Sequence, residues 1–270
     1  MSRHPKVIRE AYNEVLDRLE KQRVIEDVPF DDRENRFYIP HHPVIRQDKD
    51  SSKVRLVLNC AQKFGGTSLN DHIDSGSNPV QDLVGILLAF RTGEFTLTAD
   101  VKEMFLQVRM RPEDSDFHRI LVKKNERFVP FRFRVFPFGN TCSPKVAITI
   151  AKQNAKRFQS KYPQASRSIQ EFTLVDDTLR SMNNEKELEK LGKDLVFIYD
   201  QIGMDLRKFA SNSKRVMESI PIEKRAPSIN MHKFHHNVES IYNKTTALGM
   251  IWICDSDLLQ YKIKDLNLEQ

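Results

Sequence analysis

The chain has 270 residues, 39% hydrophobic and 30% charged, with a formal net charge of +6. That composition is enough for one large domain or two small ones, and the sequence holds no apolar run of about eighteen residues to span a bilayer. Met1 to Lys6 lacks the apolar stretch of a secretory signal, and Cys60, Cys142 and Cys254 lie far apart with no C-x-x-C spacing. These cysteines read as reduced thiols of an intracellular chain, not as a zinc site.

Ile8, Tyr12, Val15, Leu16 and Leu19 recur at helical spacing and predict an amphipathic helix over 5–25. A polar, acidic loop is expected over 27–36. Phe37 to Pro40 and Pro43 to Ile45 read as extended pieces broken by proline. With a turn at Gln47 to Ser52 and a strand at Val54 to Leu58, they predict a hairpin. Val80 to Phe90 predicts a helix stopped at Gly93, and Phe95 to Asp100 a strand. Ile120 to Val122 and Phe128 to Val135 predict a second hairpin, in which Phe131, Phe133 and Val135 alternate with Arg132 and Arg134. Ser143-Pro144 carries the signature of an N-cap and first helical residue, so a helix is expected from there to about Phe158. Phe172 to Val175 reads as a short strand closing on Asp176-Asp177, with Leu179 to Ser181 as its return. Asn184 and Glu187 resemble a capping box. Leu188, Leu191, Leu195, Ile198 and Ile202 then mark a helix ending at Gly203. Leu206 to Phe209 is expected as a strand, 211–245 as polar and irregular. Leu248 to Ile253 and Leu258 to Ile263 are expected as a last hairpin. Helices interleaved with antiparallel hairpins make an α+β fold. No glycine-rich loop joins a strand to a helix, which removes P-loop and dinucleotide-binding readings.

Two apolar strands run into carboxylates, one at Asp100 and one at Asp176-Asp177. An Asp-Asp pair at a hairpin is by itself ordinary turn chemistry. Placed on neighbouring strand ends, however, such carboxylates suit phosphoryl transfer. Two Mg²⁺ ions, with Mn²⁺ as a substitute, acidify an attacking 3′-hydroxyl and neutralise a triphosphate, and they need few protein carboxylates.

Thr98-Ala99-Asp100-Val101-Lys102-Glu103-Met104-Phe105-Leu106-Gln107-Val108 resembles the first catalytic motif of reverse transcriptases. Phe136-Pro137-Phe138-Gly139-Asn140-Thr141-Cys142-Ser143-Pro144 resembles their F-G-x-x-x-x-P turn, and Leu174-Val175-Asp176-Asp177 their Y-x-D-D box. Leu206 to Asn212 and Leu248 to Trp252 follow in the same order. Tyr38 to Ile45, Ser68-Leu69-Asn70-Asp71 and Leu206 to Asn212 are most similar to the BEL/Pao class of LTR retrotransposons. The resemblance covers nearly the whole chain.

It implies a right-hand polymerase with an antiparallel palm sheet packed on helices, fingers, and only the start of a thumb. The implied boundaries are fingers at 1–95, palm at 96–245 with a fingers segment near 112–140, and a primer-grip hairpin with the start of a thumb at 246–270. Asp100, Asp176 and Asp177 match the magnesium ligands, joined by the Val101 carbonyl. Phe105 matches the steric gate against a 2′-hydroxyl, or is a core phenylalanine. Arg55 matches an arginine that reaches the triphosphate, and Arg46 is a looser candidate, read as a surface charge. Phe138 and Gly139 match the wall of the nucleotide pocket. Lys208 matches a lysine that protonates departing pyrophosphate, or is a solvent-facing strand residue. Gly249 and Trp252 match the primer grip, with Trp252 equally suited to a core.

The implied activity is RNA-directed DNA polymerisation on an RNA or DNA template with a DNA primer and dNTPs. It is set inside a polyprotein with protease, RNase H and integrase, and in the cytoplasm or in particles. Leu174 stands where most relatives have an aromatic residue, Asn59 where many have Asp, and the thumb is short. An inactive relic that keeps the fold and binds nucleic acid is therefore the alternative, with a metal-dependent phosphodiesterase behind it. His232, His235 and His236 make an H-x-x-H-H cluster, read as solvated loop.

Overall fold

A computed structural model describes residues 5–30, 36–45, 54–124, 127–229 and 243–261. Arg46, the turn at Gln47 to Ser52, Ile263 and the His232, His235 and His236 cluster lie outside the described residues. In chain order the elements are α1 (Lys6–Lys21), β1 (Ile25–Asp27), β2 (His41–Ile45), β3 (Val54–Leu58), α2 (Leu83–Phe90), β4 (Phe95–Val101) and α3 (Pro112–Ser115). There follow β5 (Arg119–Lys124), β6 (Arg127–Phe133), α4 (Ser143–Arg157), α5 (Pro163–Glu171), β7 (Thr173–Leu174), β8 (Asp177–Met182) and α6 (Glu185–Asp200). The last are β9 (Leu206–Ser211), α7 (Lys214–Ser219), β10 (Lys244–Ala247), β11 (Met250–Ile253) and β12 (Leu258–Gln260). This is an α+β architecture with antiparallel sheets. The chain divides into two compact units, Met1–Asn78 with Phe105–Ala147, and Pro79–Met104 with Ile148–Gln270.

The first unit holds the β1-β6-β5 sheet and the β2–β3 hairpin. Tyr12, Leu16 and Leu19 form one stripe of α1 and bury against Ile25, Ile120, Phe131 and Phe133. Strand β6 alternates as expected: Phe131 and Phe133 point into the core, while Arg132 bonds Glu26 at 2.7 Å. The helix expected over 5–25 stops at Lys21, and its last expected residue, Ile25, instead opens strand β1, so the expected loop begins after Asp27. Ile25 is buried opposite Phe133 and Glu26 pairs with Arg132, and these two contacts hold the segment in the sheet.

The second unit is built on a four-stranded antiparallel sheet, β7-β8-β4-β9. Helix α6 covers it, with Leu188, Leu191, Leu195 and Ile198 buried and Asn184 capping through the Lys186 and Glu187 amides. Helix α2 starts later than expected, because the Asp82 carboxylate caps the Val84 and Gly85 amides. Two helices were not anticipated: α5, and α7 inside the stretch read as irregular. Ser213 caps α7, and Val216 and Met217 are buried. The last hairpin gains a third strand, β10, paired with β11. Helix α4 starts at Ser143 and ends at Arg157, as expected; the Val146 N–H bonds the Cys142 carbonyl, and the Ser143 hydroxyl donates back to the Pro137 carbonyl at 2.8 Å instead of capping the helix.

Candidate active site

Strand β4 is central in the second unit's sheet, so its end is flanked on both sides. Asp100 lies opposite Asp177 of β8 and opposite Arg207 of β9. Leu174 pairs with Asp177, so Val175 and Asp176 make a two-residue turn at the sheet edge. Val175 has φ 58°, a left-handed conformation that is costly for a β-branched residue. The tip is tied down by the Val101 N–H, which donates to the Asp176 carbonyl at 2.9 Å. Under the hairpin the Thr173 and Thr178 hydroxyls stand 2.9 Å apart, beside the buried Tyr199, whose hydroxyl burial pushes up to about 12. The sequence expectation placed both aspartates after a strand. The structure puts Asp176 in the turn and Asp177 as the first residue of the returning strand.

Burial pushes the Asp176 carboxyl up from the ordinary carboxylate range, and the neighbouring Asp100 charge adds to it. Lys208 opposes that rise, and its ammonium donates to Asp100 Oδ2 at 2.7 Å. A β-bulge puts it there. Thr98 pairs with Ala210 and Asp100 with Arg207, so Lys208 and Phe209 together oppose Ala99. Lys208 takes φ 53° while Phe209 is fully buried, and the extra residue re-aims the lysine toward the carboxylates.

Hard oxygen donors at one sheet edge suit magnesium. That ion keeps several waters and is held by one or two carboxylates plus substrate phosphates rather than by a closed protein cage. Asp100 and Asp176 fit that demand: the Asp100 charge adds to the rise of the Asp176 carboxyl, and a lysine ammonium is already drawn to Asp100. Among the described residues no group of three His, Cys, Asp or Glu side chains is placed to hold an ion unaided.

Other expected residues lie in the first unit. Arg55 is exposed on β3, across from Val44. The Phe105 ring tilts against Phe138, with centroids 5.0 Å apart, and Phe138 is 45% exposed. Gly139 has φ 103°, and a Cβ there would sit 2.4 Å from the Leu58 carbonyl oxygen, so only glycine fits this turn. In the second unit Leu248 and Gly249 form the β10–β11 turn, both with positive φ. Trp252 is fully buried edge-on to Phe90, and its Nε1 donates to Asp257 Oδ1 at 2.9 Å. Arg91 bonds the same oxygen at 2.6 Å, a tie between α2 and the last sheet that no spacing in the sequence announces.

No family model matches the chain. Over 130 residues, 47% of its length, it is 22% identical to the Gag-Pol polyproteins of avian leukosis virus subgroup A (isolate RSA) and Rous sarcoma virus subgroup B (strain Schmidt-Ruppin). It spans 8% of the length of those curated relatives. A foamy viral protease-reverse transcriptase solved in complex with double-stranded DNA matches with a TM-score of 0.62 and 16% identity, over 92% of this chain and 34% of that one. The fold is that of a reverse transcriptase. Native prototype foamy virus protease-reverse transcriptase gives a TM-score of 0.56 at 21% identity, over 76% of this chain and 24% of its own. Among the described residues of this reverse-transcriptase fold, no helix is long and apolar enough to cross a membrane.

Proposed function

We propose that the chain is the polymerase portion of a reverse transcriptase of the BEL/Pao class, adding dNTPs to a DNA primer on an RNA or DNA template. The observation that carries this is the acidic sheet edge: Asp100, far away in sequence, lies opposite Asp177 on the neighbouring strand, and the Val101 N–H after it holds the Asp176 carbonyl at 2.9 Å. In this reading Asp100 and Asp176 would hold two magnesium ions, with Asp177 and the Val101 carbonyl in support. Ions bound there would supply Lewis acidity for a primer 3′-hydroxyl and charge to offset a triphosphate.

The chain's own groups do the rest. Strand β4 holds Asp100, and the β7–β8 turn, tied to β4 by the Val101 N–H bond to the Asp176 carbonyl, holds Asp176 beside it. Lys208 carries a proton at Nζ and releases it to the departing pyrophosphate once it has left Asp100. The Arg55 fork binds triphosphate oxygens. Phe105 excludes a ribose 2′-hydroxyl, Phe138 and Gly139 shape the base and sugar wall, and the Gly249 turn with Trp252 behind it positions the primer end. The remaining partners, protease, RNase H and integrase, belong to the same polyprotein.

Primer extension on RNA and DNA templates tests the reading. Incorporation is expected to need Mg²⁺ or Mn²⁺ and to vanish in Asp100→Asn and in Asp176→Asn, while full activity in either variant would sink it. One feature favours an inactive relic instead: Leu174, beside the turn, stands where the resemblance to reverse transcriptases implies an aromatic residue. That outcome appears as salt-sensitive primer–template binding with no incorporation by the unaltered chain.

A further inference from the structure

The turn Phe138-Gly139-Asn140-Thr141 is held from two sides, and only one side was visible in its own motif. From within, the buried Asn140 amide donates to His118 Nε2 at 2.7 Å, and His118 Nδ1 donates to the Asp114 carbonyl at 2.8 Å. From outside comes Asn70, some seventy residues earlier. Its Nδ2 donates to the Gly139 carbonyl at 3.1 Å, and its Oδ1 accepts from the Thr141 N–H at 3.2 Å. The side-chain amide thus pairs with the backbone on both sides of Asn140, as a strand peptide would.

Asn70 is itself fixed. It lies in a one-turn 3₁₀ helix, Leu69–His72, closed by a reciprocal capping box between Ser68 and Asp71. Its own N–H bonds the Cys60 carbonyl at 3.1 Å, and Leu69 beside it is buried. Each exposed hydrogen bond is modest, but two on one anchored amide fix the peptide planes on either side of Asn140, the first of which starts at the Gly139 carbonyl, one residue after Phe138. Phe138 in turn supports the Phe105 ring.

The geometry points to Asn70 as a positioning residue that sets nucleotide affinity and sugar selection by holding the Gly139 turn. This rests on the polymerase reading above. The mechanical consequence is specific: loosening the turn lets Phe138 move and leaves Phe105 without its neighbour, whereas the acidic edge belongs to the other unit and is untouched.

The test uses the full chain on primer–template with a dideoxy-terminated primer, Mg²⁺ and the next dNTP or rNTP. In Asn70→Ala the dNTP dissociation constant is expected to rise about tenfold. The ratio of rNTP to dNTP affinity should narrow, and hydrogen exchange at the Thr141 amide should quicken. Primer–template affinity is expected to stay within about twofold of the unaltered chain. Asn70→Asp keeps the acceptor for Thr141 and loses the donor to Gly139, so it should show the same loss of sugar selection. Unchanged dNTP affinity and selection in both variants would overturn the proposal while leaving the polymerase reading standing. So would equal weakening of dNTP and primer–template binding. Failure of the unaltered chain to form any ternary complex would instead remove the polymerase reading, and this inference with it.

Discussion

Replacing Lys208 by Met removes the cation bonded to Asp100 while keeping much of the side chain's length. At 2.7 Å the pair's attraction is about 1.5 kcal/mol in the dielectric of water. The lysine is 58% exposed and the aspartate 21%, so entropy and screening bring the net contribution to about 0.2–1 kcal/mol. Met and Lys bear the same left-handed backbone, so that strain cancels and the melting temperature should move little. Divalent binding should move more. An ion that takes the Asp100 oxygen displaces the ammonium, and removing that competitor should tighten Mg²⁺ or Mn²⁺ binding up to about fivefold. Without the Lys208 charge the Asp176 carboxyl rises further, so the gain should grow as pH rises above the folded Asp176 value. Calorimetric and thermal-shift titrations with either ion, without nucleotide, measure it. Equal or weaker binding in Lys208→Met would refute competition between the lysine and a metal for Asp100. Lys208→Gly separates charge from backbone: it should tighten metal binding likewise and stabilise the fold by about 1 kcal/mol through relief of the left-handed residue.

Asp176→Asn should raise the melting temperature at pH 7. The folded carboxyl value lies above the unfolded one, so the ionised group destabilises the fold above the folded value, and the penalty fades as pH falls toward the unfolded value. Calorimetry near pH 3, below the unfolded value of about 3.9, should therefore show no gain. Val175→Gly should stabilise by about 1 kcal/mol in denaturant melts yet lower incorporation, because the turn that presents Asp176 loosens. Gly139→Ala combines a left-handed backbone with a clash against the Leu58 carbonyl and should lose about 2 kcal/mol or more. Gly249→Ala, with open space around it, should lose only about 1 kcal/mol. Trp252→Ala should destabilise by about 3–5 kcal/mol, and Trp252→Phe by less, since it keeps an aromatic ring against Phe90 and loses the bond to Asp257 and part of the buried indole volume.

What the sequence made legible follows from how each element is held. Helix α6 was readable because a hydrophobic stripe and an Asn cap, both local, specify it. Strand β4 was readable because its apolar run ends on a carboxylate. Helix α5 was not: its inner face is Ala165, Ser166, Ser168 and Ile169, and the Ser168 hydroxyl is satisfied by the Gln164 carbonyl one turn back. A buried face of one isoleucine among small, self-satisfied residues has no run of large hydrophobic side chains to mark it, and its amphipathic asymmetry comes from the charged and amide side chains opposite; Pro163 stands at the helix start. The carboxylates of the candidate site could be named from strand ends, but the bulge at Lys208 could not. It is a property of how β9 registers on β4, and register is set by the whole sheet. Asn70 was visible only as part of a resemblance, because its partners at Gly139 and Thr141 are about seventy positions away.

The backbone supplies an argument against treating Asp176-Asp177 as mere turn residues. A turn selected for ease would place Gly, Asn or Asp at its left-handed position. Here Val175 occupies it, and Asp176 takes the other place in the turn. Glu103, three residues past Asp100, and Lys208 also carry positive φ, so strained residues stand in each of the three chain segments that meet at this edge. Each costs on the order of 1–2 kcal/mol, and none relieves strain by contributing a glycine. The sheet beneath can hold them because Leu97, Ala99, Val101, Leu179, Phe209 and Ala210 are all buried at 3% exposure or less. Conformations that local preference resists, held by a rigid core, gather beside Asp100 and Asp176, and in the polymerase reading proposed above they serve to present charge rather than to turn the chain.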